Sequence, residues 1–230
     1  MTDLSVIIPF YNEADNLPAV PRNIARALEA ARVDFEVLTV DNGSHDRTGD
    51  LLRALSDEQP AIRVVTVARN EGYGWGVLSG LREARGEYVG FMGGDGQIAP
   101  SDVVRTWRRL QDDRLDFCKA TRVVRKDGWR RRLITTLTNM IFPLLFGVRT
   151  RDINGTPKMF RASYLPELDL RSKDWFLDAE VMIKLTRLGA RMGEVPVTFL
   201  PREKGSSNVR FSAIWEFLRN IARVLLGGGW

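Results

Sequence analysis

The chain has 230 residues, of which 44% are hydrophobic and 27% charged, with a net charge of +5. This is the make-up of one ordinary globular domain, long enough to bury a core without disulfide staples. A single cysteine and a single histidine exclude an internal disulfide and a His/Cys metal cluster, and the positive charge favours anionic partners: phosphates, acidic lipid surfaces or nucleic acid.

Ser5-Val6-Ile7-Ile8-Pro9 is a near-continuous apolar run, the pattern of a strand buried on both faces. No charged-then-apolar leader precedes it. Pro9-Phe10-Tyr11-Asn12-Glu13 turns the chain into a helix whose apolar positions include Leu17, Val20, Ile24 and Leu28. Phe35 to Val40 reads as a second strand, stopped by Asp41-Asn42-Gly43-Ser44 ahead of a helix carrying Leu51, Leu52 and Leu55. Arg63 to Ala68 is a third strand, followed by Arg69-Asn70-Glu71-Gly72-Tyr73-Gly74-Trp75-Gly76 and a helix through Val77, Leu78 and Leu81.

Glu87 to Met92 has the character of a fourth buried strand. It ends in Gly93-Gly94-Asp95-Gly96-Gln97, and Pro100, Ser101 and Asp102 start another helix. Asp116 to Thr121, with Cys118 as a buried small hydrophobe consistent with a reducing compartment, is a fifth strand. Strands alternating with helices of this length imply βαβ units and a parallel sheet.

After residue 122 the rhythm changes. Arg122, Arg125, Lys126, Arg130, Arg131 and Arg132 gather around Trp129. The apolar stretch from Leu133 to Val148 is interrupted by Thr135, Thr136, Thr138, Asn139 and Pro143, and falls short of a membrane span. Arg151 to Phe160 reads as loop and short strand, Asp178 to Leu188 as helix, Met192 to Leu200 as strand. Pro201 to Asn208 is a polar loop, and Phe211 to Leu226 a last amphipathic helix.

The turns Pro9–Glu13, Asp41–Ser44 and Gly93–Gln97 all fall at strand carboxyl ends. In a parallel sheet these share one edge, so three acidic turns converge on one crevice. Asp95 and Gln97 offer hard oxygen donors, as Mg²⁺ or Mn²⁺ would need. Taken singly, Glu13 is also an ordinary first-turn acid, Asp41 a turn residue and Asp95 a cap. Gly72-x-Gly74-x-Gly76 is not a dinucleotide fingerprint, because Val77 holds the third glycine's place and the motif follows the third strand. A P-loop is absent.

Val6-Ile-Ile-Pro-Phe-Tyr-Asn-Glu13, Asp41-Asn-Gly-Ser-x-Asp46-x-Thr48, Arg69-Asn70, the Asp95-x-Gln97 turn and Glu194-Val-Pro-Val-x-Phe199-x-x-Arg202 together resemble family 2 glycosyltransferases. The similarity is greatest to the branch making dolichol- or polyprenol-phosphate mannose or glucose. It covers nearly the whole chain, with the motifs in the family's order.

The resemblance implies a GT-A fold, α/β and Rossmann-like with a mostly parallel sheet. It implies one domain over residues 1–230, with residues 1–122 binding the nucleotide sugar and 123–230 forming the acceptor side. Pro9, Tyr11, Glu13 and Asp41 match positions that hold the nucleoside. Gly93, Gly94 and Asp95 match the Asp-x-Asp element, and Asp95 with Gln97 its Mg²⁺ or Mn²⁺ ligands. Arg122, Arg131 and Thr135 match positions that meet the lipid phosphate, and Arg202 a phosphate-binding arginine; Asn208 stands where lysine is common. Asp152-Ile-Asn-Gly-Thr-Pro-Lys158 resembles the acceptor loop.

The implied reaction moves a hexose from a GDP- or UDP-linked sugar to a polyprenyl or dolichyl phosphate with inversion. The metal acts as Lewis acid, and Arg202 adds positive charge where negative charge develops. Asp178 and Glu180 stand where the wider family places a base; they hold sugar hydroxyls or are simply exposed helix positions. The expected location is peripheral, at the cytoplasmic face of a membrane, with room for a separate anchoring protein and no role for nucleic acid. Two departures matter: Gly93 replaces the first acid of Asp-x-Asp, and Asn42 the second of the usual paired acids. They keep open a saccharide or protein acceptor, or a non-catalytic nucleotide-sugar binder.

Overall fold

The computed structural model describes residues 2–124, 142–150, 152–200 and 219–224. β1 (Leu4–Phe10) is buried along its whole length, as its unbroken apolar run demands. β2 (Phe35–Asn42) pairs parallel to it, with Ile7 opposite Leu38, and β3 (Ile62–Val67) pairs parallel to β2. On the other flank β4 (Tyr88–Phe91) runs parallel to β1, with Ile7 opposite Phe91. The intervening helices are α1 (Ala19–Ala30), α2 (Thr48–Glu58), α3 (Tyr73–Glu83) and α4 (Pro100–Asp112). Pro100 stands in the first turn of α4, where its missing N–H is harmless.

Beyond α4 simple alternation ends. β5 (Phe117–Val124), β6 (Lys158–Arg161) and β7 (Met192–Thr198) complete a seven-stranded sheet in the order β3-β2-β1-β4-β6-β5-β7. β6 is antiparallel to β4 and to β5, and β7 is parallel to β5. The short strand expected within residues 151–160 is therefore present, but as an antiparallel insertion at the sheet's centre.

Two helical layers cover the sheet. On one face α1, α2 and α4 bury Ile24, Leu28, Leu52, Val103 and Trp107 against Val6, Ile8 and Phe10. On the other, α3 and α7 (Leu177–Arg187) pack Val77, Leu81, Leu177 and Val181 against Ile7, Leu38, Val89 and Phe91. The short helices α5 (residues 142–146) and α6 (Leu165–Leu168) add Phe142, Phe146 and Leu168 to that second core. Of the expected last helix, residues 219–224 are helical and Ile221 packs on this core; its remainder lies outside the described residues. No helix among the described residues is long and apolar enough to cross a membrane. Cys118 is fully buried, and that burial pushes its thiol up to about 12.

Candidate functional site

The parallel strands β1, β2 and β4 do bring their carboxyl ends to one edge, and the turns beyond them are stitched together. Asn12, at φ 53°, donates its backbone N–H to Ser44 Oγ (3.2 Å), and its side-chain oxygen accepts the His45 N–H (2.9 Å). The Glu13 N–H donates to Thr48 Oγ1 at 3.0 Å. Asp41, at the end of β2, accepts the Ser44 N–H at 3.1 Å. Its other carboxylate oxygen lies 2.4 Å from where a Cβ on Gly49 would sit, so a side chain there would collide with the carboxylate. Pro9 is buried in β1, whereas Tyr11 and Glu13 are half-buried at the crevice. Gly94 lies against the Phe10 ring, 2.4 Å from the site of a Cβ, which draws the Asp95 turn over the end of β1.

The glycine run after β3 serves close packing. A Cβ on Gly72 would stand 2.3 Å from the Lys173 carbonyl oxygen, and one on Gly74 2.4 Å from that of Ser172. One on Gly76 would meet Pro9 Cβ at 2.9 Å. The turn is thus wedged between β1 and the 172–174 loop that leads into α7. The Trp75 N–H donates to Lys173 O at 3.0 Å, Tyr73 stacks on Trp175 at 4.5 Å and 9°, and the Lys173 ammonium lies 4.4 Å from the Trp75 ring centroid. Asn42 fastens the turn from below, donating Nδ2–H to Gly72 O at 2.9 Å. Its buried Oδ1 has no hydrogen-bond partner among the described residues.

Asp95 Oδ1 accepts the Gln97 N–H at 3.1 Å. Gln97 in turn donates Nε2–H to Leu200 O (3.1 Å) and accepts the Leu200 N–H on its carbonyl (2.9 Å). With its amide nitrogen turned to Leu200, the side-chain oxygen of Gln97 is the end that can meet a cation. No group of three or more His, Cys, Asp or Glu gathers among the described residues. One carboxylate and one amide oxygen fit a Mg²⁺ or Mn²⁺ ion that draws the rest of its coordination from a bound diphosphate and water.

Next to this turn a line of charges crosses the sheet. Phe91, Lys158, Lys119 and Glu194 stand in register on β4, β6, β5 and β7. Both lysines are fully buried. Lys158 pairs with Asp178 of α7 and donates to Gly155 O at 2.9 Å. Lys119 donates to Asp152 O at 2.6 Å and lies 3.4 Å from Glu194. Burial lowers Lys119 to about 8, against the opposing pull of Glu194; burial also lowers Lys158, with Asp178 holding against it.

Asp178 and Glu180 are not exposed helix positions. Asp178 is 3% exposed and tied to Lys158. Glu180 is fully buried and accepts the backbone N–H groups of Arg171 (3.0 Å) and Ser172 (2.8 Å) while pairing with Lys184, so it closes the loop before α7. Arg122 is held in a fork by Asp152, with Nε and Nη2 at 2.5 and 2.6 Å from its two oxygens, and its guanidinium lies 5.1 Å from the Phe199 ring centroid. Arg131, Thr135 and Arg202 lie outside the described residues, as do Asn208 and the cations around Trp129. Sequence reasoning passed over Tyr73 and Lys158; the glycine run around Tyr73 and a lysine closing the acceptor-loop pattern were the available signals.

These features define an α/β protein whose ligand crevice lies at the carboxyl edge of its sheet. The model of glycosyl transferase family 2 matches residues 5–168, and the chain belongs to that family. It is 28% identical over 226 residues to dodecaprenyl-phosphate galacturonate synthase of Rhizobium johnstonii, covering 97% of this chain and 66% of that protein. It is also 28% identical over 235 residues to undecaprenyl-phosphate mannosyltransferase of Micrococcus luteus, covering 97% of this chain and 94% of the relative. Among solved structures, glucosyl-3-phosphoglycerate synthase of Mycobacterium tuberculosis, crystallised with Mn²⁺, uridine diphosphate and phosphoglyceric acid, superposes with a TM-score of 0.73 at 20% identity. That match spans 98% of this chain and 78% of the other. The GT-A architecture expected from the sequence is the one found, and the chain is a glycosyltransferase.

Proposed function

We propose that this glycosyltransferase moves a hexosyl unit of the mannose or glucose type from a GDP- or UDP-linked sugar to a polyprenyl phosphate, inverting the anomeric centre. The observation that carries the reading is the convergence of the Pro9–Glu13, Asp41–Ser44 and Gly93–Gln97 turns on one edge. Relatives named for transfer to polyprenyl phosphates support the acceptor.

In this reading Pro9, Tyr11, Glu13 and Asp41 hold the nucleoside, with Gly93 and Gly94 allowing the diphosphate to approach the backbone. Asp95 and Gln97 would hold Mg²⁺ or Mn²⁺, which supplies a Lewis acid for the departing diphosphate. Arg202 adds positive charge at the same place. Arg122, fixed in direction by Asp152, meets the acceptor phosphate with Arg131 and Thr135. That phosphate is ionised at neutral pH and needs no strong base, in keeping with an Asp178 already paired to Lys158. The protein acts at a membrane surface, its acceptor half toward the lipid.

The test is transfer of radiolabelled sugar into an organic-extractable product, using GDP-mannose and UDP-glucose with undecaprenyl phosphate and Mn²⁺. The protein forms such a product, and Asp95→Asn reduces the rate at least about hundredfold. Failure to form it from any donor, or transfer only to water-soluble acceptors, refutes the reading.

A further inference from the structure

One structural motif has no part in the binding roles above: the Gly72–Gly76 turn and the aromatic ring it presents. Tyr73 opens α3 at the carboxyl edge of β3. The bare backbones of Gly72 and Gly74 press on the 172–174 loop, and the Tyr73 ring is clamped face to face on Trp175. Three residues beyond Trp175, α7 delivers Asp178, and Lys158 ties that carboxylate to the strand beside Phe91, four residues before Asp95. The phenol therefore sits in the field of both Asp178 and Asp95; burial first and these two charges next push it well above its ordinary range.

We propose that the Tyr73 hydroxyl, placed by this clamp in the part of the crevice shared by Asp95 and Asp178, donates a hydrogen bond to a hydroxyl of the donor's hexosyl unit. The inference rests on the nucleotide-sugar reading given above and names the subsite where the sugar lies. The chemistry of the pair selects the ligand. A phenol, whose ordinary pKa is about 10, is a donor at neutral pH; an ionised carboxylate only accepts. Lys158 engages one oxygen of Asp178, and the carboxylate retains a second with acceptor capacity. A donor beside an acceptor matches a sugar hydroxyl, which does both. A phosphate, acceptor-only and anionic, would be repelled by Asp178. Among the described residues no hydrogen bond is found to the Tyr73 hydroxyl, so its stacking on Trp175 accounts for the ring and leaves the oxygen without a structural task.

Tyr73→Phe removes that oxygen and keeps the stack. Titration calorimetry with Mn²⁺ compares GDP, GDP-mannose, UDP and UDP-glucose on the wild-type chain and the variant. The expected result is unchanged affinity for the nucleoside diphosphate and about tenfold weaker binding of the matching nucleotide sugar. One monodeoxy analogue of that sugar then binds both proteins equally, and thermal unfolding of the two coincides. Equal sugar-nucleotide binding by wild type and variant overturns the proposal while leaving the transferase reading intact. An equal loss for diphosphate and sugar nucleotide also overturns it, by moving the hydroxyl to the phosphates. A wild-type chain that binds none of the four overturns the donor reading itself and this proposal with it.

Discussion

Lys119 is the most exacting test of the electrostatics. Its ammonium is fully buried between the Asp152 carbonyl and Glu194, with Lys158 beside it in register. Its pKa is lowered from 10.5 to about 8, burial outweighing Glu194. At ~1.4 kcal/mol per unit, keeping it charged costs the fold about 3 kcal/mol at pH 7. Between pH 8 and 10.5 the unfolded chain holds a proton that the folded chain has shed, so stability rises with pH in that window. From pH 7 to 9 the rise is about 1 kcal/mol. Cys118 acts in the opposite sense: its folded thiol titrates near 12 against 9 unfolded, so stability is lost as pH climbs past 9. The measurement therefore belongs between pH 7 and 9, as urea midpoints of the wild-type chain and Lys119→Met at constant m-value. The wild type gains about 1 kcal/mol over that range and Lys119→Met does not. Parallel curves for the two proteins would refute the assignment of the slope to this ammonium.

Gly93 has no positive φ, and a Cβ there would lie 3.8 Å from Asp95 Oδ1, an ordinary contact. Gly93→Asp therefore fits and adds a second carboxylate; Mn²⁺ affinity, read by calorimetry, rises about tenfold, roughly the effect of one close opposite charge near the surface. Gly74→Ala sets a Cβ 2.4 and 2.7 Å from two backbone oxygens, Ser172 O and Asp174 O. It lowers stability by about 2 kcal/mol, read from the urea midpoint, because neither oxygen can swing aside. Gly189→Ala, at φ +71° with nothing within 4 Å, loses about 1 kcal/mol from backbone strain alone, and the difference between the two glycines isolates the packing cost.

What the sequence made legible was local chemistry. The apolar run of β1, the acid-bearing turns after β1 and β2 and the glycine turn before α4 carry their meaning within a few residues. Their shared edge follows from the parallel rule alone. β6 was not legible as a central strand: Lys158-Met159-Phe160-Arg161 is four residues long, and its place is set by neighbours on both sides rather than by its own propensity. The same limit hid the fate of Asp178 and Glu180. Spacing places both on the first turn of α7, but whether each meets solvent, a lysine or a loop backbone is decided by residues far away in sequence: Lys158 for one, Arg171 and Ser172 for the other. The glycine run was read correctly as something other than a dinucleotide fingerprint. Its task, admitting the 172–174 loop against bare backbone, has no one-dimensional signature.

These long-range choices explain why the antiparallel strand lies where it does. In register across the sheet run Leu38, Ile7 and Phe91, all apolar, and then Lys158, Lys119 and Glu194. Side chains directly opposite one another share a face, so one line passes from hydrocarbon to buried charge at the β4–β6 boundary. A parallel strand at this place would have needed a crossover of a dozen residues or more. The antiparallel one instead lets the chain enter β6 from the same edge at which β4 ends, bringing residues 152–157 beside the Asp95 turn. Lys119 holds Asp152 by its carbonyl, Asp152 holds Arg122 by its carboxylate, and Lys158 holds Asp178. The buried lysines that weaken the fold at neutral pH are thus the ties that join the β5–β6 connection and α7 to the end of β4, so the electrostatic cost is located where two halves of one crevice must keep a fixed separation.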